Sequence, residues 1–253
     1  RLGALGGPVA NLPGTWGEGS GDAPALLARV DARDADARRM LKDGAGAAEA
    51  ARLVQRLDAL RTDARVERNP LIDFDKLVFV RRLTYSANHY YTEYINSAWT
   101  PGGGLCILDL KTGQVTDLVP ELTGGVFERF DVSFDATRIV FAWKCAAQQG
   151  YRIYEIRVDP TTGKRRGELR QLTFPQKNEA ELVRLYRARD HYHHGTDDMH
   201  PCYLPNGEIV FISTRCQYGL LCDAPHDFTT TLLYRIDADG KNMRQLSHGS
   251  ASA

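Results

Sequence analysis

The chain has 253 residues, of which 43% are hydrophobic and 25% are charged, a composition typical of globular proteins. Lys and Arg number 32 together, as do Asp and Glu, so the chain lacks the basic excess that binds nucleic acid phosphates. No apolar run approaches the roughly 20 residues that cross a bilayer. We therefore expect neither nucleic-acid binding nor a membrane span.

The N-terminal quarter of the chain differs in composition from the rest. Residues 1–22 are rich in Gly, Pro and Ala without periodicity, which predicts a flexible lead-in. Residues 23–68 are rich in Ala, Leu and Arg, which predicts a helical segment with helices at 24–42 and 47–65. Asn69-Pro70 ends this segment, because the residue before proline is disfavoured in the helical region.

Residues 69–253 repeat one pattern three times. Each copy contains an apolar strand with a Val-Phe pair, a strand followed by an aspartate-containing turn, and a short strand that closes on Leu or Val. Such a repeat is typical of a β-propeller blade, which buries its faces only by stacking on its neighbours. The predicted fold is all-β, a partial propeller of about three four-stranded blades near 69–120, 130–175 and 199–248.

Two kinds of connection join the predicted strands. Tight turns with Asp or Asn and Gly join the first strand to the second and the third to the fourth, as at 204–207 and 237–240. The remaining connections are longer, at 83–104, 175–199 and 215–231. Because successive connections of an antiparallel meander alternate between its two ends, we expect every long insertion at one end.

Most histidines and cysteines fall in or beside these insertions, and loops on one side of a rigid scaffold commonly carry function. They are His89, His191, His193, His194, His200, His226, Cys145, Cys202, Cys216 and Cys222. That end of the blades is therefore the expected binding face.

The densest group of potential metal ligands is segment 190–202, which contains four histidines, three aspartates and one cysteine. Imidazole, carboxylate and thiolate groups bind zinc and other transition metals. The candidate ligands are His194, Asp198, His200 and Cys202. The spacing matches no closed zinc motif, and the alternative is a solvated polar loop with one structural histidine.

Five cysteines leave at least one thiol unpaired, and the count does not identify the compartment. Cys216 and Cys222 are candidates for a disulfide in an oxidising compartment, where one of them has Cys202 as an alternative partner. In a reducing compartment they are free thiols or metal ligands.

The insertion at 84–99 contains four tyrosines, a tryptophan and His89. These aromatic side chains can form a surface that contacts a ligand, a haem or a protein. His89, Tyr90 and Tyr91 are the candidate cofactor contacts. The alternative is aromatic packing over the mouth of the propeller. Nucleophilic catalysis has no support, because the chain lacks a Gly-x-Ser-x-Gly sequence.

The third copy resembles the TolB-type, WD-like propeller repeat in three stretches, Pro205–Arg215, Leu233–Gly240 and Arg244–Leu246. Three further stretches resemble the propeller region of proteins related to the hydrazine synthase alpha subunit: Asn69–Leu77, His89–Tyr94 and Asp198–Cys216. The second resemblance implies an exported, periplasmic protein whose propeller precedes domains with covalently attached haem. This chain has no Cys-x-x-Cys-His sequence, so haem is expected only through a domain outside it.

These observations predict a binding or scaffold module that presents its His-, Cys- and Tyr-rich loops to another domain of the same protein, a subunit or a cofactor. The module alone is not expected to be catalytic. The alternative is a component of a metal- or haem-dependent redox enzyme, with zinc as one candidate metal. Because propellers have four to eight blades, three blades predict a truncated chain.

Overall fold

A computed structural model of the chain describes residues 23–43, 46–62, 74–83, 100–186, 195–216 and 230–248. The chain divides into two compact units, residues 1–75 and residues 76–253, each described below by itself. The predicted lead-in at 1–22 lies outside the described residues.

In its described residues the first unit has two helices, α1 (Ala23–Asp43) and α2 (Ala47–Thr62), close to the predicted bounds. Ala37 of α1 and Leu60 of α2 are buried. Leu60 belongs to the apolar face of an otherwise polar helix, which explains why this helix needs a packing partner.

The described residues of the second unit form three antiparallel sheets, in each of which consecutive strands are neighbours, and one short helix in the chain between the second and third sheets. The first sheet contains β1 (Lys76–Arg81), β2 (Gly104–Asp109) and β3 (Val115–Asp117). The second contains β4 (Val126–Val132), β5 (Arg138–Lys144), β6 (Arg152–Val158) and β7 (Arg165–Gln171). The third contains β8 (Asp198–Tyr203), β9 (Ile209–Ser213), β10 (Leu232–Ile236) and β11 (Arg244–Gln245).

The prediction of a mostly β unit is confirmed, and the second and third sheets have the four strands expected of each repeat. The first sheet has three strands among the described residues. The start of the predicted first repeat, 69–73, lies outside them.

The tight turns form where the sequence predicts them. The Asp109 carboxylate accepts backbone N–H bonds from Lys111 and Thr112 at 2.9 and 3.0 Å, and Gly113 follows at a φ of +72°. Asp159 makes the equivalent bonds after β6. The same local chemistry therefore gives the same turn in two sheets.

Apolar side chains join each sheet to the next. One cluster combines residues of the first and second sheets: Leu105, Ile107, Leu118, Val119, Phe127, Phe141, Trp143, Tyr154 and Ile156. Another combines the second and third sheets: Val140, Ile153, Leu172, Tyr203, Ile209, Phe211 and Tyr234. The second sheet thus has apolar contacts on both faces, and its strand β5 is buried from Ile139 to Lys144.

Candidate functional site

The insertion edge is defined as the end of the second and third sheets where β6 and β8 begin and where β5 and β9 end. The turn edge is the opposite end of these sheets, where their tight turns lie, together with the equivalent tight turn after β2 in the first sheet. The long connections β7–β8 and β9–β10 and the shorter β5–β6 connection all leave from the insertion edge. In the second and third sheets, the long connections therefore lie at one end and the tight turns at the other, as predicted from the connection lengths.

Asp197 and Asp198 fix the start of β8 at this edge. Asp197 Oδ1 accepts the Tyr151 N–H at 2.8 Å, and the Asp198 N–H donates to the Tyr151 carbonyl at 3.0 Å. The Asp197 N–H also donates to Thr214 Oγ1 at 2.8 Å. The end of the β7–β8 connection is thus bonded both to the second sheet and to the residue after β9.

Gly150 lets this segment approach the second sheet closely. A Cβ atom at this position would lie 1.8 Å from the carbonyl oxygen of Thr196. Only glycine fits without displacing the backbone of the β7–β8 connection.

Arg152 and Glu179 form an ion pair across the same edge. The Arg152 Nη2 lies 2.5 Å from Glu179 Oε1, and its Nη1 donates to the carbonyls of Tyr151, at 2.8 Å, and Thr196. Glu179 begins the short helix α3 (Glu179–Tyr186), and its other oxygen accepts the Thr196 hydroxyl. Arg152 is only 5% exposed, so this pair couples the connection to the second sheet in a largely dry environment.

Arg215 and Asp198 form a second ion pair, which is bidentate. Arg215 Nε lies 2.8 Å from Asp198 Oδ1 and its Nη2 lies 2.5 Å from Oδ2. Ser213 donates its hydroxyl to the same carboxylate at 2.7 Å, and Arg215 reaches the Phe174 carbonyl at 2.6 Å. Burial opposes the charge of Arg215, but the hydrogen bonds and charge of Asp198, with the charges of Glu179 and Tyr234, outweigh burial, so the pKa of the guanidinium is raised.

Lys144 ends β5 beside these ion pairs and is buried. Burial lowers the pKa of its ammonium group, and the nearby charge of Asp197 opposes that shift. Its Nζ lies 5.7 Å from the centre of the Tyr151 ring, within cation–π range. The aromatic ring and the carboxylate together stabilise a cation in this buried place.

The first strands of the second and third sheets meet through carboxylates of β4. Buried Glu128 accepts the His200 backbone N–H at 3.0 Å and contacts the His200 imidazole Nε2 with its other oxygen. Asp131 accepts the Tyr203 N–H at 2.8 Å. Both strands have a bulge here, and His200 adopts a left-handed φ of +52°. Glu128 thus holds both the backbone and the ring of His200.

The predicted metal ligands that the structure describes do not lie together. Asp198 pairs with Arg215, His200 pairs with Glu128, and Cys202 is exposed near the turn edge, opposite Val210 of β9. Among the described residues, no three His, Cys, Asp or Glu side chains form a group that could hold a metal ion. His194 lies outside those residues.

The expected position of Cys202 on the insertion edge is wrong. Cys202 is the fifth of the six residues of β8, so it lies close to the tight turn after that strand. Burial raises the pKa of its thiol, and the charge of Asp131 raises it further.

Cys202 and Cys216 are both free thiols, so the alternative disulfide between them is absent. Cys216 Sγ lies 3.5 Å from the Thr230 carbonyl oxygen. Cys222 lies outside the described residues, so its pairing with Cys216 stays a prediction. The candidate cofactor contacts, His89, Tyr90 and Tyr91, also lie outside them.

Sequence reasoning centred on histidine and cysteine missed the charged residues that organise this edge: Glu128, Lys144, Arg152, Glu179, Asp197 and Arg215. For Lys144, Arg152, Asp197 and Arg215 the available signal was their position at or directly beside strand ends next to the connections of this edge. Glu128 lies within β4 and Glu179 in α3, so neither had this signal. Helix α3 also had a signal, since Asn178 is a favoured helix N-cap residue and its carbonyl accepts the Leu182 N–H.

No family model and no curated protein matches this chain. Among solved structures it is similar to a putative TolB from Agrobacterium tumefaciens, with 19% identity, a TM-score of 0.36, and coverage of 56% of this chain and 40% of that chain. It is also similar to TolB from Acinetobacter baumannii, with 12% identity, a TM-score of 0.36, and coverage of 69% of this chain and 30% of that chain. A third similar structure is Kuenenia stuttgartiensis hydrazine synthase, with 12% identity, a TM-score of 0.30, and coverage of 68% of this chain and 32% of that chain.

This likeness is a weak resemblance at the level of the fold, and it assigns neither a family nor an activity. The chain spans less than half the length of each of these structures. Within the described residues, no helix has both the length and the apolar character needed to cross a membrane.

Proposed function

We propose that this chain is a binding or scaffold module of an exported protein, built as part of a β-propeller, and that it binds a partner domain or subunit through the insertion edge. The observation that carries the proposal is the unequal distribution of connections. The long β7–β8 and β9–β10 connections leave from one edge of the second and third sheets, and the tight turns of these sheets lie at the other. Buried ion pairs fix the described ends of the β7–β8 connection.

The ion pairs support binding rather than stability alone. A buried pair often contributes little net stability, and in some proteins it instead selects one arrangement of the backbone. Arg152 with Glu179 and Arg215 with Asp198 hold both sides of the β7–β8 connection in this way. Ends of a connection that are fixed before binding lose less entropy when the partner binds.

The proposed location and partner rest on the sequence resemblance to exported, propeller-containing proteins. In such a protein, the partner is a neighbouring domain of the same polypeptide or another subunit. Hydrazine synthesis is not proposed, because the chain lacks a haem attachment sequence.

Metal binding at His200 stays a prediction, and its ligands would have to include residues beyond the described ones, such as His194. Metal analysis of the purified protein tests it. Stoichiometric zinc that disappears in His200→Ala would support the site, and equal metal content in both proteins would contradict it.

Site-specific photo-crosslinking tests the binding edge. A photoreactive residue replaces the exposed Gln148 or Lys177 at the insertion edge, or the exposed Thr112 or Thr162 at the turn edge. We expect both insertion-edge positions to crosslink one protein or domain and both turn-edge positions to yield no such product.

The crosslinked partner is then purified and its affinity for the chain is measured. Lys177→Glu should lower that affinity at least tenfold, and the control Thr162→Glu should change it less than twofold. Crosslinks from the turn-edge positions, or equal effects of the two substitutions, would contradict the proposal.

A further inference from the structure

Three arginines form a row across the second sheet near its turn edge. Arg138 of β5 lies directly opposite Arg157 of β6, and Arg157 lies directly opposite Arg166 of β7. Directly opposite residues project from the same face of a sheet with Cβ atoms about 5 Å apart, where like charges are destabilising. The row therefore places three positive charges side by side.

Acidic side chains compensate the two outer arginines. Arg138 Nη1 lies 3.7 Å from Glu155 Oε1, and its guanidinium lies 5.1 Å from the centre of the Tyr203 ring. Arg166 forms a close ion pair with Asp159.

The middle arginine is different. Arg157 is exposed, and its guanidinium makes no hydrogen bond or ion pair with any residue that the structure describes. Its neighbour Glu155 already accepts hydrogen bonds from Arg170 and the Tyr203 hydroxyl, at 2.9 and 2.8 Å. The charge of Arg157 therefore has no direct partner in this part of the molecule.

The three arginines line a surface cleft of about 520 Å³. This volume falls within the range of small-molecule sites, about 300–1,000 Å³. Gly167 bends the wall of the cleft with a left-handed φ of +72°. The acidic residue of the lining is Asp135, whose carboxylate accepts bonds from the Ser133 hydroxyl and the Thr137 N–H.

We propose that this cleft binds an oxyanion, the phosphate or carboxylate group of a small molecule, through Arg157 with Arg138 and Arg166 beside it. A guanidinium donates two parallel hydrogen bonds to either group, and an anion offsets the repulsion within the row. The cleft lies at the turn edge, so the proposal is independent of partner binding at the insertion edge.

Calorimetric titration of the full chain tests the proposal, with inorganic phosphate in one arm and succinate in the other. Sodium chloride keeps the ionic strength constant, because screening alone also weakens charge repulsion. We expect saturable binding of at least one of the two anions. Binding of phosphate or of succinate then identifies the ligand class as a phosphate or a carboxylate.

Arg157→Gln should weaken binding at least tenfold. The matched control is Arg244→Gln, which removes an exposed arginine of β11 in the third sheet and should change the affinity less than twofold. The absence of saturable binding in both arms, or equal affinity in wild type and Arg157→Gln, would overturn the proposal.

A second measurement separates binding from folding. Without added anion, Arg157→Gln should unfold at the same temperature as wild type or higher, because the row loses one repulsive charge. With saturating anion the order should reverse, because only wild type gains stability from the ligand. A lower unfolding temperature of Arg157→Gln without anion would show a structural role and would also overturn the proposal.

Discussion

At the scale of single residues, the insertion edge depends on buried charges that have specific partners. The Asp198 carboxylate is fully buried and accepts bonds from Arg215 and Ser213. An unpaired charge in such a place is costly, whereas an exposed pair contributes little. Removing one partner of a buried ion pair should therefore lower the free energy of unfolding far more than removing one partner of an exposed pair.

Asp198→Asn should lower the free energy of unfolding by about 3–5 kcal/mol, because it leaves the guanidinium of Arg215 largely buried without its counter-charge. Chemical denaturation measures the change. The control is Asp239→Asn, in the exposed pair with Lys241, which should leave stability unchanged within error. Similar losses in both variants would contradict this role of Asp198.

Asp135 should make stability depend on pH in acid. The Ser133 hydroxyl, and then the hydroxyl and the backbone N–H of Thr137, lower the pKa of its carboxyl from 3.8 to about 2. Because the folded pKa lies below the unfolded one, this stabilisation is complete above about pH 4 and is lost as the pH falls through 2.

An NMR titration of the Asp135 carboxyl measures that pKa directly. We expect a midpoint near 2 in the wild type. The variant Ser133→Ala should show a higher midpoint, because it lacks the hydroxyl donor. A midpoint that does not move in Ser133→Ala would show that the hydroxyl is not the cause.

At the scale of elements, the sequence predicted the strands and turns better than the links between sheets. The turns after β2, β6, β8 and β10 depend on local Asp, Asn and Gly chemistry, which can be read from neighbouring residues. The pair of Arg152 with Glu179 joins residues far apart in the chain, so it becomes visible only in three dimensions. Helix α3 was missed because its segment was interpreted as an insertion without structure of its own.

The close approach between the second and third sheets should be sensitive to one methyl group. Gly150→Ala should lower the free energy of unfolding by about 1–3 kcal/mol, because the new Cβ atom would overlap the Thr196 carbonyl. Gly113→Ala is the comparison, since open space surrounds that glycine and only its left-handed φ of +72° opposes alanine. Thermal or chemical unfolding measures both variants. If Gly150→Ala and Gly113→Ala lower the free energy of unfolding equally, the close contact with Thr196 is not the cause of the loss at Gly150.

At the scale of the whole second unit, stacked sheets explain both the core and the site. The second sheet packs apolar side chains on both faces, as the repeat predicts, because each sheet covers an apolar part of the next. The sequence also predicted the edge from which the long connections leave. It did not predict that carboxylates and guanidinium groups, rather than histidine and cysteine, organise that edge, because those residue types are common on any surface.

The central claim is that a partner binds the insertion edge. Hydrogen–deuterium exchange of the chain, free and in complex with its crosslinked partner in phosphate-free buffer, tests it most directly. We predict slower exchange in the complex at residues 145–151, 195–198 and 213–216, with unchanged exchange at the turns 109–113, 159–163 and 204–207. Slower exchange confined to those turns would contradict the account.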